Sequence, residues 1–151
     1  IMVEVPSIVE VMNNYHQLID FISIGSNDLT QYLMAVDRGN SRVAHLYDSL
    51  NPAVLKVVKR VVDSAKKYHL KVGVCGEMAG QLLITPLLVG LGIDELSVGS
   101  HMVPSIKKAV RSLSQTECAE MMKDVLKMRT SPDIATISAN MARRYYPELI
   151  D

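Results

Sequence analysis

The sequence carries no excess of charge of either sign. Lys and Arg number 16 and Asp and Glu number 16, so the formal net charge is zero. A nucleic-acid-binding protein needs a basic face to displace counterions from phosphates, so this balance argues against that class of partner. It leaves room for a small local anion site. Cysteine is scarce. Cys75 and Cys118 form neither a CxxC pair nor a disulfide framework, which points to a reducing, cytoplasmic setting. Long apolar runs are missing too. The longest, roughly Leu82 to Ile93, is interrupted by Pro86 and falls short of the ~20 residues that span a bilayer. No signal peptide, internal repeat, low-complexity segment or linker is visible. What remains is an ordinary globular composition, 48% hydrophobic and 21% charged over 151 residues, enough for one domain with a core. The first residue, Ile1, already reads as strand, so the chain is read as a fragment of a longer protein.

Apolar periodicity alternates between strand and helix. Ile1–Val5 reads as a strand. A helix from about Ser7 to Ile19 follows, with Ser7 as N-cap and Glu10 at capping-box spacing. Phe21–Ile24 is a second strand, closed by Gly25. Ser26 to Tyr47 reads as a long functional loop with one or two short helices. Asn51-Pro52 opens a helix to about His69, with Val54, Val57, Val58, Val61 and Ala65 as its buried stripe. Lys71–Cys75 is a third strand, and an apolar helix runs to about Gly90. Asp94–Val98 is a fourth strand, Pro104 opens another helix to about Leu113, and two helices near 116–128 and 132–145 end the chain. Alternating strands and helices imply parallel pairing and an α/β fold. The strands read as apolar on both faces. Four βα units are half of a (β/α)8 barrel of the TIM-barrel type; an open doubly wound sheet is the competing architecture.

In parallel α/β folds the working residues lie just past the carboxyl ends of the strands. Here those ends are Glu4, then Ser26-Asn27-Asp28, then Cys75-Gly76-Glu77, then Gly99-Ser100-His101. Glu4 is a carboxylate in an apolar strand, so it is either ion-paired to a Lys or Arg or a metal ligand. With Asp28 it offers two oxygen ligands from adjacent strands, which suits Mg2+; Asn27-Asp28 equally suits a helix N-cap. Arg38, in Asp37-Arg38-Gly39-Asn40, could grip a phosphate or carboxylate, or simply pair with Asp37. Cys75 is either a reactive thiol tuned from its usual ~8.5 or a small buried hydrophobe. Glu77 could be a charge partner at a helix N-terminus. Of the four histidines only His101 falls on a strand-end loop, and none has triad spacing.

The segments Ile1–Pro6, Phe21–Tyr32, Ala35–Asn40 and Val74–Gly80 resemble the phosphoenolpyruvate-utilising enzymes. Cys-Gly-Glu-Met-Ala-Gly (75–80) and His-Leu-Tyr-Asp-Ser-Leu-Asn-Pro (45–52) resemble the enzyme I-type phosphoenolpyruvate–protein phosphotransferases, and resemble pyruvate phosphate dikinase and phosphoenolpyruvate synthase less closely. The likeness covers about Ile1 to Leu113. It implies that residues 1–113 are the C-terminal half of a phosphoenolpyruvate-binding barrel, with 114–151 a helical tail of the same domain. It further implies Mg2+ on Glu4 and Asp28, phosphoenolpyruvate held by Asn27, Asp28 and Arg38, and Cys75 as the acid that yields pyruvate. The phosphoryl group would pass to a histidine on an upstream domain, and from there to the phosphocarrier protein HPr or its nitrogen-type paralogue. A homodimer is expected. One departure is Gln81, where the family commonly has an acidic residue. The other is the absence of the barrel's first half, so the isolated chain is expected to be inactive. Its exposed strand edges and apolar inner face would also make it a candidate self-association module.

Overall fold

The computed structural model describes residues 1–150. Four strands, β1 (Met2–Val3), β2 (Phe21–Gly25), β3 (Lys71–Cys75) and β4 (Glu95–Leu96), form one sheet in the order β1-β2-β3-β4, every pair parallel. The order advances by one strand at each step, without the reversal that defines a doubly wound sheet. Between and after the strands lie α1 (Ser7–Val11), α2 (Ser26–Met34), α3 (Pro52–Lys67), α4 (Thr85–Leu91), α5 (Val103–Ser112), α6 (Gln115–Val125) and α7 (Ser131–Tyr145).

The strands are not apolar on both faces. Val3, Ile22, Ile24, Val72 and Val74 are fully buried and point toward the helices. The alternate positions, Ser23, Lys71, Gly73, Cys75 and Glu95, face the other way and remain partly or fully exposed. Period-two alternation dictates this split once one face packs against helices. The open face is therefore polar or small along its centre, with large apolar side chains only at Met2 and Phe21, 54% and 58% exposed. No extended apolar inner face is present among the described residues.

The core lies between the sheet and the helices. Helix α3 contributes Val54, Leu55, Val58, Val61, Val62 and Ala65. Asn51 caps it, its side-chain oxygen accepting from Ala53 N at 2.9 Å, with Pro52 at the first turn. The expected Ser7–Ile19 helix breaks into α1 and two 3-10 turns, Met12–Asn14 and His16–Leu18. Ser7 lies inside α1 and makes no cap, the N-cap position being Pro6. The break has a tertiary cause. Asn13 accepts a hydrogen bond from Tyr68 Oη at 3.0 Å, and His16 stacks on the Tyr68 ring with centroids 3.9 Å apart. Helices α6 and α7 join the same core through Met121, Met122, Val125 and Ile134. No helix among the described residues is long and apolar enough to cross a membrane.

Candidate functional site at the carboxyl ends of the strands

Strand register aligns the chemistry. Val3 pairs with Ile24 and Gly25 pairs with Cys75, while Val74 pairs with Leu96. One step further along each strand puts Glu4, Gly25, Cys75 and Ser97 in a single row across the sheet. Adjacent members of such a row are ~4.8 Å apart. Gly25 is the gap in the row that Glu4 occupies. A Cβ on Gly25 would meet Glu4 Cγ at 2.7 Å and Oε1 at 2.8 Å, so only glycine lets the carboxylate fold across β2. No Lys or Arg pairs with Glu4 among the described residues.

Asn27 and Asp28 sit in the first turn of α2, immediately past β2, and neither caps it. Asn27 Oδ1 instead accepts from Glu77 N at 3.0 Å, tying the β2 loop to the β3 loop. Ser26 Oγ, buried, adds a second tie by donating to Cys75 O at 2.7 Å. The β3 loop turns at Gly76, where φ is +91°, and a Cβ there would collide with Ser26 Oγ at 2.6 Å. Arg38 is not paired with Asp37, whose carboxylate accepts from Gly39 N at 2.8 Å. Its guanidinium instead spans the two loops, 3.9 Å from Asp28 Oδ1 and 4.0 Å from Glu77 Oε1. The Arg38 and Asp28 side chains are 39% and 42% exposed, so an incoming anion can reach both.

Cys75 faces the open side of the sheet, half-buried. Its Sγ donates to Ile24 O at 3.5 Å and accepts from Ser23 Oγ at 3.7 Å. The thiol is thus held in place without being sealed off. Cys118 is the opposite case. It is fully buried, and burial followed by the nearby Glu117 carboxylate pushes its thiol up to about 11.

Two residues mattered more than their sequence context indicated. Glu77 is the second anchor of Arg38. Tyr47, met only as part of a motif, donates to Asn27 O at 3.4 Å. Burial pushes its phenol above the ordinary range. The buried Thr30 hydroxyl, which has no well-formed bond of its own, pulls it back, Glu77 pushes it up, Arg38 lowers it and Asp28 raises it. Both residues contact partners distant in sequence, a signal that no local pattern carries. His101 lines a rim cleft of about 560 Å³ together with Asn27, Glu77, Gln81 and Ser97.

Glu4, lying across Gly25, and Asp28, in the first turn after β2, are thus two carboxylates at one end of the sheet. No cluster of three or more His, Cys, Asp or Glu gathers among the described residues. Two oxygen donors open to solvent fit a hard divalent cation that keeps water and substrate in its remaining positions.

The sequence model of the family described as "PEP-utilising enzyme, PEP-binding domain" matches residues 1–115. The chain belongs to this PEP-utilising enzyme family. Among curated proteins it is 42% identical over 137 residues to multiphosphoryl transfer protein 1 of Escherichia coli K12, covering 91% of this chain and 16% of that protein. It is 42% identical over 134 residues to the phosphoenolpyruvate-protein phosphotransferase of Buchnera aphidicola subsp. Schizaphis graminum, covering 89% and 24%. Against the phosphoenolpyruvate-protein phosphotransferase of Latilactobacillus sakei the figures are 41% over 130 residues, 86% and 23%. The chain thus spans a quarter or less of the length of these PEP-utilising relatives.

Proposed function

We propose that this chain supplies part of the phosphoenolpyruvate and Mg2+ site of an enzyme I-type phosphoenolpyruvate–protein phosphotransferase, as the last four βα units of a (β/α)8 barrel. The observation that carries this reading is the convergence of Glu4, Asn27, Asp28, Arg38 and Cys75 at one end of the sheet, joined by the Asn27–Glu77 hydrogen bond and the Arg38 bridge. The names of the relatives favour the phosphotransferase branch over the dikinase or synthase branch.

Glu4 and Asp28 would hold Mg2+, which when bound neutralises charge on the phosphoryl oxygens. Arg38 would exchange part of its contact with Asp28 and Glu77 for the substrate's phosphate or carboxylate. Asn27 would orient the substrate through its amide. When the phosphoryl group leaves for a histidine on an upstream domain, the bond between phosphorus and the bridging oxygen breaks and its electron pair stays on that oxygen as an enolate. The Cys75 thiol gives its proton to the enolate methylene carbon, forming the C–H bond of pyruvate. The thiolate then takes a proton from water. The open face of the sheet would be covered by the first half of the barrel, in a cytoplasmic homodimer that passes phosphate on to HPr or its nitrogen-type paralogue.

The test is Cys75→Ala in the full-length protein. Loss of a positioned general acid should slow pyruvate release by about 10²–10⁴-fold. Mn2+ affinity, read by electron paramagnetic resonance, should stay at the wild-type value. Wild-type pyruvate release by the variant would refute the assignment.

A further inference from the structure

The family match ends at residue 115, so α7 and the turn after it lie outside the matched segment. Yet three side chains from this region reach back to the loops that carry the site. Ser131 Oγ, at the start of α7, hydrogen-bonds Asp48 Oδ2. Ser138 Oγ donates to Leu83 O at 2.5 Å, and Tyr146 Oη donates to Leu82 O at 2.8 Å. Ser138 and Tyr146 are buried, at 1% and 0% exposure. The acceptors are not scattered. Asp48 adjoins Tyr47, which holds the Asn27 carbonyl in the first turn of α2. Asp48 also receives Leu50 N at 2.9 Å, fixing the turn into α3. Leu82 and Leu83 follow Gln81, which shares the rim cleft with Asn27 and Glu77. The tail therefore grips one segment on the β2 side of the site and one on the β3 side. Removing the Ser138 hydroxyl strands the Leu83 carbonyl, while removing the Tyr146 hydroxyl leaves Leu82 O with only the longer bond from Thr85 N at 3.3 Å.

We propose that α7 and Tyr146 are a positioning clamp for the site: Ser131, Ser138 and Tyr146 set the spacing between the Asn27–Asp28 turn and the Cys75–Glu77 turn. This rests on the phosphoenolpyruvate reading above for its substrate. The clamp acts through other residues and touches no reacting atom. Tightening or loosening it changes how well Arg38 can span Asp28 and Glu77, and hence how the site receives an anion and a cation together.

The experiment uses the full-length protein carrying Tyr146→Phe, Ser131→Ala or Ser131→Thr. Tyr146→Phe and Ser131→Ala should each raise the KM for phosphoenolpyruvate and the Mg2+ concentration at half-saturation by about threefold to tenfold, with kcat changing less. Ser131→Thr, which keeps the hydroxyl, should restore wild-type values. In parallel, hydrogen exchange at Glu77 N, which donates to Asn27, should accelerate in Tyr146→Phe while exchange at Ile24 in β2 stays unchanged. Variants that lose only thermal stability, with KM, Mg2+ half-saturation and Glu77 exchange all at wild-type values, would overturn the clamp. If the wild-type protein does not consume phosphoenolpyruvate, the substrate reading fails, and Glu77 exchange alone still decides the clamp.

Discussion

The two ends of the sheet are built from the same strands and do opposite things. At the carboxyl ends the side chains reach across loops: Asn27 to Glu77, Ser26 to Cys75, Arg38 to both Asp28 and Glu77. At the amino ends they serve the strands themselves. Asp94 Oδ2 accepts from Val72 N at 2.8 Å and Asp94 N donates to Val72 O at 2.8 Å, which only closes the ladder. The Phe21 and Lys71 side chains, at the same end, are exposed and take part in no ion pair or side-chain hydrogen bond among the described residues. The difference teaches that polarity alone does not mark a site; polar groups that link separate loops do. Substitutions at one end should thus disturb chemistry, and at the other only stability.

The largest effect expected is at Asp28. Asp28→Ala removes an oxygen donor and one anchor of Arg38, and phosphoenolpyruvate turnover in the full-length protein should fall by about 10²-fold or more, with little change in melting temperature. A drop in melting temperature without loss of turnover would erase the contrast between the ends. Next comes the shared core beneath both ends. Ile24→Ala empties a fully buried position between sheet and helices and should cost about 2–5 kcal/mol by denaturant titration. Asp94→Ala, at the amino end, should cost about 1–3 kcal/mol and leave KM and kcat at wild-type values. A changed KM there would break the comparison.

The smallest expected effect is on pH. The Lys108 ammonium, 2.6 Å from the exposed Glu148 carboxylate, holds that carboxyl below its ordinary value of 4.5. A depressed folded-state value stabilises above 4.5 and is lost as pH falls through the folded-state value. Lys108→Ala should therefore slightly reduce stability at neutral pH, and added salt should shrink the difference.

Much of this arrangement is legible in the sequence because it rests on local pattern. Lys71–Cys75 reads as a strand residue for residue, and Asn51-Pro52 announces α3 by its cap chemistry. The candidate residues Glu4, Asn27, Asp28 and Cys75 follow from the rule that strand ends carry function, while Arg38 comes from its loop and from the family resemblance; the structure sets Arg38 between the β2 and β3 loops. The misses share a cause. Ser7–Ile19 has helical spacing, but Tyr68, far along the chain, captures Asn13 and His16 and breaks it. The strands read as apolar on both faces, although Ser23 and Gly73 already break the pattern on one face. Arg38 pairs with Glu77, and Tyr47 with Asn27, across distances in sequence that periodicity cannot see.

Cys75 is proposed to share one site with Glu4, Asp28 and Arg38, the residues proposed to hold metal and anion. Alkylation by iodoacetamide, read residue by residue by mass spectrometry on the full-length protein, tests it most directly, with buried Cys118 as an unreactive internal control. Phosphoenolpyruvate with Mg2+ should protect Cys75, and neither Asp28→Ala nor Arg38→Ala should retain that protection. Alkylation of Cys75 at the same rate with and without substrate and metal would contradict it.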